Sequence, residues 1–377
     1  MTHSVSKVLI IGGGFSGMSA AIQLRKQGIE THLVEIDPDW QADGAGISIG
    51  GATLRAFDTL GILDEFLQHG SGHDGLDVFA PNGHHLQHIP TPRFAGPNIP
   101  GTGAIMRPVL ARIMSDKVKQ NGTKVRLGQT YQNLEMDNEG VAVTFTDGSS
   151  DRYDLVIGAD GVKSKTRDWL LPGAPKPAYA GLGVWRAVLP RPAECKGTMM
   201  WVGEHLKAGI NPMSKDQVYL FLTVNSETRQ RFDPAEEPAI LKQLLLDHFS
   251  APTVQELAAA IGEDSHVMLR PLDSLLVPRP WYKGRVVLIG DAVHATIPHL
   301  ASGACIGIED AIVLADELGS SEALEPALDA FQNRRWERCR MVVENSARLG
   351  QIEIEGGDKA EHSAIMRESM MALAQPI

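Results

Sequence analysis

The stretch Lys7-Val8-Leu9-Ile10-Ile11-Gly12-Gly13-Gly14-Phe15-Ser16-Gly17, KVLIIGGGFSG, runs four apolar residues straight into a glycine cluster. A short continuous Val/Leu/Ile run is what a parallel strand covered on both faces requires. Gly12, Gly14 and Gly17 then spell GxGxxG. A helical stretch, MSAAIQLRKQG, follows with Gly28 placed to end it, and a second strand, THLVE, ends at Glu35, 18 residues after Gly17. Strand, glycine turn, helix, strand and acid in that order predict a dinucleotide-binding unit. The glycines allow a tight turn and close approach of the backbone to a pyrophosphate, and the helix N-terminus supplies free N–H groups. Glu35 is placed to accept from ribose hydroxyls. An acid there repels a 2′-phosphate, so the pocket suits the ADP moiety of FAD or NAD rather than NADP.

The rest of the composition narrows the class. The chain has 377 residues, 43% of them apolar and 21% charged, as in ordinary globular proteins long enough for two domains. A net charge of −11 argues against a nucleic-acid partner, which demands basic stripes. No long apolar run or basic amphipathic segment suggests a membrane partner. The start passes directly into the first strand without a secretory signal, and Cys195, Cys305 and Cys339 form no CxxC pair. The expectation is a cytoplasmic protein with free thiols, monomeric or homodimeric.

Two later segments repeat the first one's grammar. DLVIGADG runs Leu155 to Ile157 and breaks into Gly158-Ala159-Asp160-Gly161; RVVLIGDA runs Val286 to Ile289 and breaks into Gly290-Asp291. Ligands of open parallel sheets sit beyond the carboxyl ends of the strands. Three strands ending in glycine, two of them adding aspartate, are therefore expected to converge on one extended ligand.

DLVIGADGVKSKTR, with Asp160, Gly161, Ser164 and Arg167, resembles the DG motif of the flavoprotein aromatic hydroxylases, the single-component class A monooxygenases. Gly290-Asp291 followed by AVHATIP is similar to the GD motif of the same family. With GxGxxG, the three ordered motifs span residue 8 to about 318. The resemblance implies non-covalent FAD, with NADH or NADPH as a transient co-substrate and O2 as the oxidant. It implies that Asp291 meets the ribityl hydroxyls and that Asp160 lies near the pyrophosphate and the nicotinamide path. Arg107, leading AIMRPVLARIM, reaches the cofactor, and GAGISIG (Gly44 to Gly50), with Ser48, passes beside the flavin. Phe15, Ser16, Ile36 and Leu127 are assigned to the cofactor with them. Ile308, Ala311, Ile312 and Ala315 form one apolar helix face, so Gly303 and Ala304 stand at an N-terminus aimed at the flavin. There the chain reads Ala301-Ser302-Gly303 where the family pattern is Gly-Gln-Gly, which puts that turn in question. PHLASGACIGIEDA looks most like the 6-hydroxynicotinate 3-monooxygenase branch.

The expected fold is α/β: a Rossmann-like FAD-binding domain (1–73, 100–175 and 276–320) interleaved with an antiparallel-sheet substrate domain (74–99 and 176–275), then a helical region (321–377). Short alternating runs between residues 176 and 275 make the sheet, and the family resemblance places it as a roof over the substrate. Trp185, Trp201, Asn211, Met213 and Pro298 are the candidate contacts to a small aromatic substrate. For each of the sheet residues, plain core packing is the competing reading. His69, His73, His84, His85 and His88 lack metal-ligand spacing and sit among turn residues, so no metal is expected. His294 reads as a packing residue of the turn.

The family chemistry runs through a flavin C4a-hydroperoxide whose distal oxygen attacks an electron-rich ring. A phenolic or hydroxylated N-heteroaromatic ring, carboxylated in some substrates, fits that attack. A base that removes the ring's proton would assist; His299 is the candidate, with Tyr219 as an orienting hydroxyl. A monooxygenase of non-aromatic scope and a flavin-binding sensor without turnover are the alternatives.

Overall fold

The computed structural model describes residues 4–42, 44–204 and 206–377. Its centre is a six-stranded sheet in the order Tyr282–Lys283, Val286–Leu288, Leu155–Gly158, Lys7–Ile11, Glu30–Glu35, Lys124–Leu127. All neighbours run parallel except the short outer strand Tyr282–Lys283. Val8 to Ile11, Leu155 to Ile157 and Val286 to Leu288 are wholly buried, which explains why these strands are apolar throughout rather than alternating. Helix Phe15–Lys26 packs on helices Arg107–Gln120 and Gly303–Ser320 over this sheet. Gly28, at φ 82°, ends the first helix as its position suggested.

A second sheet of seven strands takes the order Val267–Ser274, Ala178–Pro190, Gln217–Asn225, Lys207–Pro212, Thr198–Val202, Leu76–Phe79, His85–Ile89. The segment 74–99 does contribute a hairpin to it, but the sheet is mixed, because Leu76–Phe79 pairs parallel with Thr198–Val202. These two strands belong to separate segments of the chain, so no tight turn forces them antiparallel.

The two faces of this sheet have different tasks. One buries Trp185, Leu189, Trp201, Ile210, Leu220 and Leu222 against the helices Glu237–His248 and Pro252–Ala260. The other carries Tyr219, Met213 and Val184 toward the first domain. A three-stranded sheet, Gly46–Gly50, Thr102–Met106 and Ser71–His73, joins the halves. A meander, Tyr131–Met136, Val141–Phe145 and Ser150–Tyr153, lies beside the central sheet. The predicted C-terminal helical region forms helices Leu324–Glu355 and Lys359–Ala374. No helix among the described residues is long and apolar enough to cross a membrane.

Candidate active site

The glycine loop shows a division of labour. A side chain at Gly12 (φ 107°) would collide with the Ala159 carbonyl of the neighbouring strand end, and one at Gly17 with the Gly12 carbonyl. These two glycines serve close packing of strand and helix. At Gly14 a Cβ would meet nothing within 4 Å, so the second glycine leaves open the side from which a phosphate approaches the helix N-terminus. The Gly13 amide donates to Glu35 Oε2 at 2.6 Å, and Oε1 of the same carboxylate accepts from the Asp37 amide at 2.8 Å. Glu35 thus holds the loop through both carboxylate oxygens. It pairs in register with Leu127, and Ile36 beside it is 66% exposed, an apolar surface suited to an adenine.

The three strand ends converge as expected. Ser16 Oγ occupies the space that side chains at Gly290 and Gly307 would need, which wedges the glycine loop, the Gly290-Asp291 turn and helix Gly303–Ser320 together. Asp291 lies deep in the molecule, and burial raises its carboxyl above the ordinary value, yet its side chain is exposed because it opens on the cleft. Arg107 stands within electrostatic reach of Asp291 on one side and Tyr219 on the other; its guanidinium is largely buried and its Nε has no acceptor. Phe15 lies under that guanidinium, 5.2 Å from ring centroid to Cζ.

The turn is braced from behind. Asp310 accepts from the Gly290 amide at 3.0 Å and from His294 Nε2 at 2.5 Å, and Arg335 Nε donates to its other oxygen at 2.9 Å. His294 is therefore a structural partner of the turn. Ligand-type atoms of His294, Asp310 and Cys339 cluster within 4.8 Å of one another, but the Arg335 guanidinium already supplies a cation to both Asp310 and Cys339. The cluster reads as an ion-pair network.

Asp160 lies in the turn that follows strand Leu155–Gly158, beside Gly12 of the glycine loop. Its carboxylate turns back onto its own loop, accepting from Ser164 Oγ, from the Thr166 amide at 3.0 Å and from Thr166 Oγ1 at 2.9 Å. Its Cα borders the loop at Gly12. Arg167 of the same motif donates to the Ala292 carbonyl at 3.0 Å, so the DG segment holds the GD turn.

Above the cleft lies the inner face of the seven-stranded sheet. A Cβ at Gly46 would strike Met213 and Tyr219 at 2.6 Å, so glycine lets the roof settle on the segment Gly44 to Gly50. Burial raises the Tyr219 pKa, which keeps the phenol protonated as a donor. A polar ladder ties the roof down: His73 Nε2 meets Thr198 Oγ1 at 2.7 Å, Thr198 donates to Asn211 Oδ1 at 2.6 Å, and Asn211 Nδ2 donates to Ser48 Oγ at 3.1 Å. Since the threonine proton is spent on Asn211, His73 must donate through Nε2. Burial lowers the His73 pKa to about 4, in keeping with a neutral ring.

Three expected contacts are corrected. Trp185 and Trp201 point to the opposite face, where they stack on Phe232 and Phe79 and join the core under the outer helices. Strand alternation puts Arg186, not Trp185, on the cleft side. His299 also turns away: its Nε2 meets Glu353 at 3.2 Å, its ring lies against Gly350, and its side chain keeps 2% exposure. Burial lowers its pKa, but no face of the ring opens on the cleft. Pro298, one residue earlier, is exposed.

Helix Gly303–Ser320 begins as expected, with Gly303 and Ala304 half-buried at its N-terminus. Ala301 adopts φ 48° and ψ 31°, so the left-handed turn persists without the family glycine.

Taken with the open face of Gly14, the exposed Asp291 and the bare Arg107, these residues fit a dinucleotide bearing a sugar chain and a flat ring. A family model described as FAD binding domain matches residues 5–346. This chain belongs to the class A flavoprotein monooxygenases. The flavoprotein is 31% identical over 346 residues to a FAD-dependent urate hydroxylase of Klebsiella pneumoniae, covering 89% of this chain and 88% of that one. It is 30% identical over 354 residues to 2-heptyl-3-hydroxy-4(1H)-quinolone synthase of Pseudomonas aeruginosa, covering 92% and 90%. Its fold matches the crystal structure of Klebsiella pneumoniae HpxO complexed with FAD and uric acid at a TM-score of 0.81, with 26% identity over 98% and 93% of the two chains. FAD is thus the cofactor that the family match and the FAD-bound neighbour support. Sequence reasoning missed Trp40, Thr198, Asp310 and Arg335, because each acts through a partner distant in the chain, and Arg186, whose strand face the sequence does not mark.

Proposed function

We propose that the flavoprotein hydroxylates a small phenolic or hydroxylated heteroaromatic ring, using NADH or NADPH and O2. The supporting observation is that Arg107 lies within electrostatic reach of both Asp291 and Tyr219, so the acid of the Gly290-Asp291 turn and the phenol of the roof, packed with Met213, face one space. Bound FAD supplies oxygen activation after reduction by the nicotinamide. Gly14, Phe15 and Ser16 present the loop to the pyrophosphate, Glu35, Ile36 and Leu127 receive the adenosine end, and Asp291, Arg107, Ser48, Gly303 and Ala304 border the rest.

The remaining steps belong to the roof. Met213, Val188 and Phe221 with Tyr219 exclude water above the ring, which protects a reactive oxidant from hydrolysis. Tyr219 stays protonated and donates to a ring oxygen, which orients the ring and stabilises negative charge on that oxygen. Asn211, bonded to Ser48, and the exposed Pro298 are assigned to the margins of that space in this reading. The likeness to a urate hydroxylase and a quinolone synthase favours N-heterocycles among the candidates.

A screen of phenols, hydroxypyridines and hydroxyquinolones for stimulated NADH or NADPH oxidation, with the product gaining one oxygen by mass, tests this reading. Stimulation only by non-aromatic compounds would replace it, and tight FAD with no stimulated oxidation by any compound would reduce the protein to a flavin binder.

A further inference from the structure

The inner face of the seven-stranded sheet holds a cation that the proposed chemistry has not used. Arg186 sits in strand Ala178–Pro190 between Val184 and Val188, paired across the sheet with Phe221 on one side and Met268 on the other. The alternation that sends Trp185 into the outer core sends Arg186 toward the cleft. It is half-buried, and its Nε is fully buried with nothing to donate to. Among the described residues it makes no hydrogen bond and no ion pair.

The other cations of this face are accounted for. Lys207 is neutralised by Glu353 at 2.5 Å, and Arg270 is exposed to solvent. Arg107 is within reach of Asp291 and leads the helix that borders the cofactor. Arg186 instead lies within electrostatic reach of Tyr219 and Arg107, two groups that carry no compensating negative charge. A half-buried guanidinium whose buried Nε–H has no acceptor is completed by an anion that a ligand supplies. Its planar fork of N–H donors matches the two oxygens of a carboxylate or the single oxygen of an ionised ring hydroxyl.

We propose that Arg186 is the specificity anchor for an anionic oxygen on the substrate, set beside the Tyr219 hydroxyl in the roof. This rests on the aromatic reading given above and narrows it: the favoured substrate is a ring that carries a negative charge when it binds.

Titrating the oxidised, FAD-loaded protein with ring compounds and following the flavin absorbance reads binding without turnover. The pairs are benzoate against benzamide and 6-hydroxynicotinate against 2-hydroxypyridine, with 4-nitrophenol titrated across its own ionisation to separate a ring oxyanion from a carboxylate. In wild type the charged member of a pair binds more tightly. Arg186→Met weakens it roughly 10- to 100-fold, as expected for a lost charge-assisted hydrogen bond, and changes the neutral member less than about twofold. Arg186→Lys, which keeps charge and length, recovers part of the loss, and bound FAD is equal in all three proteins. Equal loss for charged and neutral rings, or unchanged affinity for both, overturns the anchor. Loss of FAD in both variants overturns it too, by assigning Arg186 to the cofactor. If no ring, charged or neutral, perturbs the wild-type flavin, the aromatic reading itself fails and the anchor with it.

Discussion

The indole N–H of Trp40 donates to the carbonyl of Gly13 at 2.8 Å, although Trp40 must adopt φ 50° to place it there. A bulky residue in the left-handed region carries strain of roughly 1–3 kcal/mol, which persists only where surrounding contacts enforce it. With Glu35 holding the Gly13 amide, both backbone polar groups of Gly13 are fixed, and the loop is held without a phosphate.

Trp40→Phe keeps the ring and removes the donor. The Gly13 carbonyl then loses its partner, and FAD binding is expected to weaken by about 1 kcal/mol, roughly fivefold. Titration of the apoprotein with FAD, read by fluorescence quenching, measures this. An unchanged dissociation constant would show that the loop does not depend on the indole.

The network behind Asp291 predicts a pH dependence of stability. Burial opposes the charge on both partners, but Arg335 and His294 bring the Asp310 carboxyl down to about 2, and Asp310 holds the His294 pKa well above its ordinary value. The lowered carboxyl stabilises the fold above about pH 4 and loses its effect as pH falls toward 2. The raised imidazole stabilises fully below about pH 6.5, and its contribution is lost as pH rises through the folded-state pKa. Urea unfolding above about pH 7 should therefore show stability declining as pH rises, by at most about 1.4 kcal/mol per pH unit from this histidine. Asp310→Asn should cost about 3–5 kcal/mol at pH 6 and remove that slope, since it leaves His294 and Arg335 without their shared anion. A variant as stable as wild type, or one with the same alkaline slope, contradicts the network.

Ala301 offers a test in the opposite direction. Left-handed backbone costs a non-glycine residue about 1–2 kcal/mol, and glycine's greater freedom in the unfolded chain returns about 0.5–1 kcal/mol of that. Ala301→Gly should raise stability by up to about 1 kcal/mol, while Ala301→Val should lower it. Thermal midpoints in the order Val, Ala, Gly are the expected result, and any other order removes the strain from consideration.

The legible parts of this protein were those in which the physics is local. Strands Lys7–Ile11, Leu155–Gly158 and Val286–Leu288 announce themselves by burial on both faces, and the glycines and Asp291 by their place at strand ends. The face of a roof residue is harder to read. Trp185 and Arg186 are neighbours whose roles are exchanged by one step of strand register, and an aromatic suits either side. His299 misleads because the turn bearing it is correctly placed, while Glu353, 54 residues on, decides which way the ring points. Asp160 has the family's position, but Ser164 and Thr166 claim its oxygens.

The order of strands in the central sheet has a consequence for synthesis. The glycine loop leaves the ribosome early, but the strand that carries Asp291 docks two places away from it only after the whole roof has been made. A nascent chain therefore holds the adenosine end of the site long before it holds the ribityl end. On the proposed cofactor site, a chain truncated before helix Gly303–Ser320 should hold FAD more weakly than the full chain.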